Sequence, residues 1–271
     1  ALARQDGLWM LNNKRWGRIG GINGHGYNLT IGKDFLFDEH GYYGLLFDYG
    51  SNTVSGAAGS GEYDSYSLGL YAGNKNKPGS ITGFVSYGLQ ANKGTAYLPV
   101  LGQTAESGYD SKTLGIGVEY AYDLDYGKPE ELWHVSPYAR LNFTHYRQKA
   151  FREHGAGVFD RSFGSYSDNY AEGELGLSFD RSEGTGGYGI RLGYKRILAG
   201  ERQLMEVCFA EDECGSLLPV RSWGEGRNHF VSAAYVRHDF SRKWSAGGSL
   251  SGDWSNGGRE IGARLDLAYH F

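Results

Sequence analysis

The sequence predicts an all-β, transmembrane, 12-stranded antiparallel β-barrel of the outer-membrane type. Three observations carry this prediction. Period-two alternation of apolar with small or polar residues recurs along most of the 271 residues. The alternating runs reach ten residues or more, the ~9–11 that a tilted strand needs to cross a bilayer, whereas soluble strands average ~5–6. Aromatic residues make up 15% of the chain and gather where strands meet turns. Tyr42 and Tyr43, Tyr120 and Tyr122, Trp133, Trp244, Trp254, Tyr269 and Phe271 are placed like the girdles that anchor a barrel at both membrane interfaces.

Strand cores are expected at 15–23, 27–37, 42–54, 62–75, 79–92, 109–123, 133–147, 168–180, 187–198, 229–240, 244–254 and 258–271. Leu114, Ile116, Val118 and Tyr120 alternate with Gly115, Gly117, Glu119 and Ala121. Val135, Pro137, Ala139, Leu141 and Phe143 alternate with Ser136, Tyr138, Arg140, Asn142 and Thr144. Tyr188, Ile190, Leu192 and Tyr194 alternate with Gly189, Arg191, Gly193 and Lys195, and Ile261 to Phe271 repeats the pattern. Twelve is an even number, as bacterial single-chain barrels require. Tight turns are expected at Asp38–Gly41, Asn76–Pro78 and Ser241–Lys243, with a longer one from Asp180 to Gly186. Long polar loops at 93–108, 148–167 and 199–228 join the other ends. Both chain ends then fall on the short-turn side, expected to be periplasmic, with the long loops extracellular. The 124–132 connection is longer than the pattern predicts for its side.

Composition narrows the remaining classes. The 44 glycines and 5 prolines together stay below the ~25–30% at which disorder becomes the expectation. A net charge of −4 without a basic stripe argues against nucleic acid as a partner. No apolar run approaches 18 residues, so a membrane-spanning helix is not expected. The mean hydropathy of −0.49 does not bear on a barrel, whose strands alternate. No Pro/Ser-rich linker divides the chain, so one domain is expected. The first residues lack a basic stretch followed by an apolar core, as in a mature or excised fragment.

No catalytic or cofactor motif stands in its full context. There is no Gly-x-Ser-x-Gly and no His-Glu-x-x-His, and the eight histidines are scattered singly. Gly184 to Gly189 fits Gly-x-Gly-x-x-Gly, but a strand follows it where a dinucleotide site needs a helix, so it reads as a hairpin turn. No catalytic residue, cofactor or metal is expected. Cys208 and Cys214 lie in the longest loop, where an oxidising environment favours a disulfide. A metal held by them with Glu211, Asp212 and Glu213 is the alternative, disfavoured by the lack of a nearby histidine. Asp34, Asp48, Glu119, Arg140, Glu172, Glu174, Arg191, Lys195, Glu260, Arg264 and Asp266 fall on the face opposite the apolar one. Arg or Lys facing lipid at the midplane costs ~2–4 kcal/mol, so these charges are expected to face the lumen. They either brace and hydrate it or line a conduit. Gly44, Gly69, Gly115, Gly117, Gly176, Gly193 and Gly262 share that face, where an inward Tyr71 or Tyr138 can lie over a missing side chain.

Three stretches resemble a known family. They are Ser65-Tyr-Ser-Leu-Gly-Leu-Tyr-Ala-Gly73; Val135 to Thr144 followed by Ala150-Phe-Arg-Glu-His-Gly-Ala156; and the terminal Leu267-Ala-Tyr-His-Phe271. Together they resemble the C-terminal translocator domain of autotransporters, the type V secretion proteins. The resemblance implies a barrel at the C-terminal end of a larger exported polypeptide, in the bacterial outer membrane. It places a linker or short pore-helix remnant at 1–13 and the barrel at 14–271, with termini periplasmic or in the pore. Leu267, Tyr269 and Phe271 would act as the assembly signal. Implied partners are outer-membrane lipid, the chain's own passenger, the barrel assembly machinery and periplasmic chaperones, with the barrel a monomer. Some relatives cleave themselves between two asparagines. Here Asn12-Asn13 lies close to Trp16, and a polar junction is the plainer reading. The function expected is non-enzymatic translocation. An outer-membrane protease or lipase, which needs an Asp/His or Ser/His cluster at the rim, and a simple diffusion pore or adhesin are the alternatives.

Overall fold

A computed structural model describes residues 6–124, 133–200, 204–209, 218–221 and 226–271. Twelve strands close a barrel: β1 (Gly7–Ile19), β2 (Ile22–Leu36), β3 (Gly41–Gly56), β4 (Gly59–Asn74), β5 (Gly79–Leu98), β6 (Gln103–Tyr122), β7 (His134–Gln148), β10 (Tyr166–Glu183), β11 (Gly186–Ala199), β14 (Asn228–Asp239), β15 (Trp244–Ser255) and β16 (Gly258–His270). Every pairing is antiparallel, and β1 against β16 closes the ring from Gly7↔His270 to Ile19↔Gly258. Four short strands form a separate sheet in the order β13-β12-β9-β8. They are β8 (Phe151–Arg152), β9 (Arg161–Phe163), β12 (Leu204–Phe209) and β13 (Leu218–Arg221).

The alternation becomes two faces because successive side chains leave a strand on opposite sides. Outward rows carry the apolar residues, with Leu68 67%, Leu175 65% and Leu265 70% exposed. An apolar surface wrapping the whole ring is far larger than a soluble monomer exposes, and it calls for lipid. Buried residues such as Tyr42, Ser111, Tyr138, Gln148 and Ile197 lie inside the ring or under the short sheet. Among the described residues no helix is long and apolar enough to cross a membrane, which is silent about strands.

Inward glycines give the interior aromatics their room. A Cβ built on Gly44 would overlap the Tyr71 ring, one on Gly176 or Gly193 the Tyr138 hydroxyl, and one on Gly117 the Phe84 ring. Tyr42 lies likewise over Gly73, Tyr235 over Gly189 and Trp9 over Gly32. Each pair fills a gap in one strand with a ring from a neighbour, so the sheet bends without leaving a void.

Several boundaries differ from the sequence-based expectation. The segment expected as a linker or pore helix is largely strand: β1 begins at Gly7, and residues 1–5 lie outside the described residues. Leu8 and Met10 face outward opposite Tyr269 and Leu267, while polar Asn12, Asn13 and Lys14 interrupt the alternation that would have revealed the strand. The first turn is Gly20-Gly21, both at positive φ, earlier than the break expected near residue 25. The expected 93–108 loop is mostly hairpin, with β5 and β6 paired out to Leu98↔Gln103. Of the 124–132 connection, 125–132 lie outside the described residues. At Asp38 the carboxylate accepts the backbone N–H groups of His40 (2.7 Å) and Gly41 (2.5 Å). These bonds hold its pKa below the ordinary carboxylate value.

Candidate functional site in the barrel lumen

Strand register builds the lumen from one row of side chains. Glu119 on β6 lies opposite Arg140 on β7, Arg140 opposite Glu174 on β10, Glu174 opposite Lys195 on β11, and Lys195 opposite His229 on β14. From Glu119 to Lys195 charge therefore alternates in sign across neighbouring strands, which is favourable for directly opposed pairs. Arg191 joins from β11. Glu119 Oε2 accepts from Arg140 Nη2 (2.6 Å), Arg140 Nε (2.7 Å) and Arg191 Nη2 (2.8 Å). Glu174 sits 3.8 Å from each arginine and accepts the Tyr138 hydroxyl at 2.6 Å. The Arg191 guanidinium lies 3.4 Å from the centroid of the Tyr138 ring, a cation–π contact. One residue row away, Glu172 accepts from Asn142 (2.8 Å) and lies 3.7 Å from Lys195. Lys195 also pairs with Asp253, which bonds His229 Nδ1 at 2.6 Å.

The wall from β1 to β4 is organised differently. Trp9 Nε1 donates to Asp34 (2.9 Å) and to the Tyr71 hydroxyl (2.8 Å), and Tyr71 itself donates to Asp34. Asp48 accepts from Thr30 (2.5 Å) and Asn28 (3.1 Å). Asn28 in turn accepts from Arg15 at 3.0 Å, and Arg15 lies 4.0 Å from Glu260. Arg264 is 3.6 Å from Asp266 on the same strand. All eleven charged residues expected to face inward share the inward phase of their strands. Six of them (Arg140, Glu172, Glu174, Arg191, Lys195 and Glu260) line a polar cavity of about 470 Å³ with Arg15, Tyr138 and Asp253.

Sequence reasoning missed Asp253, His229, Trp9 and Arg15. Asp253 sits in a strand of glycines and serines where the apolar alternation is weak. Of the terminal residues, Leu267 and Tyr269 face outward against Met10 and Leu8, and the Phe271 amide donates to Asp6 O at 3.0 Å.

The rim opposite the chain ends carries the short sheet. Phe151 stacks between Tyr109 of β6 (4.2 Å) and Phe163 of β9 (4.4 Å). Tyr109 shares the inward phase of Ser111, so the sheet leans into the mouth. Backbone bonds of 2.8 Å in both directions join His154 to Glu106 of β6. Glu153, 4% exposed, takes the Arg161 guanidinium in a bidentate pair (2.6 and 2.7 Å) and the Arg161 amide at 3.2 Å. Gly155 has φ +111° and faces Thr104 O, and the Ala156 amide is capped by Asp160 at 2.7 Å. Phe151, Glu153, Gly155 and Ala156 thus serve as ring spacer, buried anion, left-handed turn and tight contact. Cys208 on β12 is buried and disulfide-bonded, whereas Cys214 and Glu211 to Glu213 lie outside the described residues. Glu153→Ala strands the Arg161 guanidinium beside a cavity, a loss of ~2–4 kcal/mol local to the rim. Limited proteolysis is expected to cut within 149–165 at least tenfold faster, with the barrel's own unfolding midpoint unchanged.

The autotransporter beta-domain family model matches residues 8–213. No curated protein matches the chain. Among solved structures, the translocator domain of the autotransporter NalP from Neisseria meningitidis is similar with a TM-score of 0.82 at 18% identity, covering 100% of this chain and 90% of that one. The beta domain of the Bordetella autotransporter BrkA gives 0.73 at 15% identity, covering 99% and 100%. The transport unit of AIDA-I from Escherichia coli gives 0.64 at 12%, covering 99% and 91%. These identities speak to the fold, while the family model speaks to the sequence. This chain, a closed twelve-stranded barrel of the outer membrane, belongs to the autotransporter β-domain family.

Proposed function

We propose that the barrel supports export of a passenger polypeptide fused ahead of β1, that it does so without catalysis, and that its short-turn end is periplasmic. The observation carrying this is the placement of β1. Gly7 lies opposite His270 at the short-turn end, so a polypeptide joined to β1 arrives at the mouth of a charged lumen from that side. A lumen lined by paired acids and bases suits a polar chain of mixed charge, because it offers exchangeable polar partners along its wall. An enzyme reading needs a nucleophile beside the His229–Asp253 pair. Among the described residues, the groups bonded to that pair are Lys195 and the Gly226 carbonyl, which accepts from His229 at 3.0 Å.

A reporter domain with its own signal peptide, fused ahead of Ala1, tests the proposal. Whole-cell protease treatment is expected to remove the reporter while periplasmic markers survive. Reporter retained in the periplasm behind a folded, membrane-inserted barrel overturns it.

A further inference from the structure

We infer that the outer wall of β1 to β5 holds one anionic phospholipid, with its phosphate on Lys33 and an acyl chain in the groove beside it. The inference rests on the orientation above, which places Lys33 at the periplasmic leaflet. Two outward rows cross these strands. One runs Leu8↔Lys33↔Leu45↔Leu70↔Val85, the other Met10↔Ile31↔Phe47↔Leu68↔Tyr87. Between them lies a groove of about 610 Å³, lined by apolar side chains and Lys33 and floored by the backbone at Gly32, Gly69 and Ser86.

Lys33 is the charged member of the lining. It sits on the lipid face three residues from the end of β2, and its contacts are the faces of Phe35 (4.8 Å) and Phe271 (5.7 Å). Among the described residues no carboxylate side chain lies within ion-pair distance of it. Phe35 stacks on Tyr43 at 5.2 Å, so the lysine stands at the level of an aromatic girdle, where headgroups lie. A cation tolerated on the lipid face near the interface, beside an apolar channel deep to it, matches the two ends of a phospholipid. Lipopolysaccharide belongs to the opposite leaflet on this orientation and does not meet Lys33.

Native mass spectrometry of the full chain in detergent, given equal phosphatidylglycerol and phosphatidylcholine, tests the inference. One retained phosphatidylglycerol is expected, preferred about fivefold, the ratio that ~1 kcal/mol per interfacial lysine supplies. Lys33→Ala is expected to abolish the preference. Leu70→Trp, which fills the groove, is expected to lower retention of both lipids. Lys112→Ala, an outward lysine near the other end, is expected to leave both unchanged. A preference that survives Lys33→Ala, or retention that survives Leu70→Trp, overturns the inference. Heat-modifiable gel mobility reports folding of every variant, with Lys33→Gln as the substitute should the alanine fail to fold. A wild-type chain lacking that mobility shift sinks the barrel reading itself, whereas a shifted chain without lipid preference sinks only the lipid site.

Discussion

Glu119→Ala is expected to lower the barrel's unfolding free energy by about 3 kcal/mol, read as a fall in the urea midpoint of tryptophan fluorescence in detergent micelles. Breaking a buried ion pair from one side costs ~3–5 kcal/mol because the partner keeps its charge without compensation. Here one carboxylate serves two arginines, with Glu174 left 3.8 Å from each. The estimate stays at the lower end because about a quarter of the Glu119 side chain, 27%, is exposed to the lumen. Its bond to Arg191 spans 72 residues of sequence and reaches past β7 and β10. The double variant Glu119→Ala/Arg191→Ala is expected to be less destabilised than the sum of the single ones. A single-variant loss under 1 kcal/mol would mean that lumen water replaces the pair at no cost.

Gly193→Leu is expected to cost about 3 kcal/mol, or to prevent assembly. A Cβ there overlaps the Tyr138 hydroxyl and meets Val231 Cγ2 at 3.0 Å and Glu174 Oε1 at 3.2 Å. Tyr138 must then leave, losing its bond to Glu174 and its stacking under Arg191. Overpacking costs ~1–3 kcal/mol and a bond to a charged group a further ~1.5–3. The diagnostic variant is Gly193→Leu/Tyr138→Ala, which empties the space that the leucine needs. It should recover at least half of the lost folded yield in a heat-modifiable mobility assay. No recovery would place the damage in strand propensity and not in the ring.

Much of the barrel is legible in the sequence because period-two alternation is a local signal. Ile261, Leu265, Leu267 and Tyr269 declare the outward face of β16 without reference to any partner strand. The same alternation marks Glu119, Arg140 and Arg191 as inward. It cannot say that one carboxylate holds both arginines, since that depends on the register of strands 72 residues apart. The position of the first turn is not legible, because Gly17, Gly20, Gly21, Gly24 and Gly26 offer several sites for a reversal and sequence does not rank them. β8, β9, β12 and β13 are two to six residues long, too short to show a period. Glu153 is visible in the family-like segment, but its partner Arg161 lies beyond it.

The unequal strand lengths have a consequence for the shape of the mouth. A strand rises ~3.3 Å per residue and tilts ~35–45°, so 20 residues climb roughly 50 Å along the membrane normal and 12 residues roughly 30 Å. The hydrocarbon core is ~30 Å thick. With 12 residues each, β14 and β15 have only enough height to cross it, whereas β5 and β6, with 20 each, rise well clear. The short sheet leans on β6 and extends that high side inward. Among the described barrel strands the opening therefore slopes like a cut reed: a parapet stands over β5 to β7, and the strand ends lie level with the bilayer along β14, β15, β16 and β1. Anything that emerges meets a wall on one flank and the membrane plane on the other.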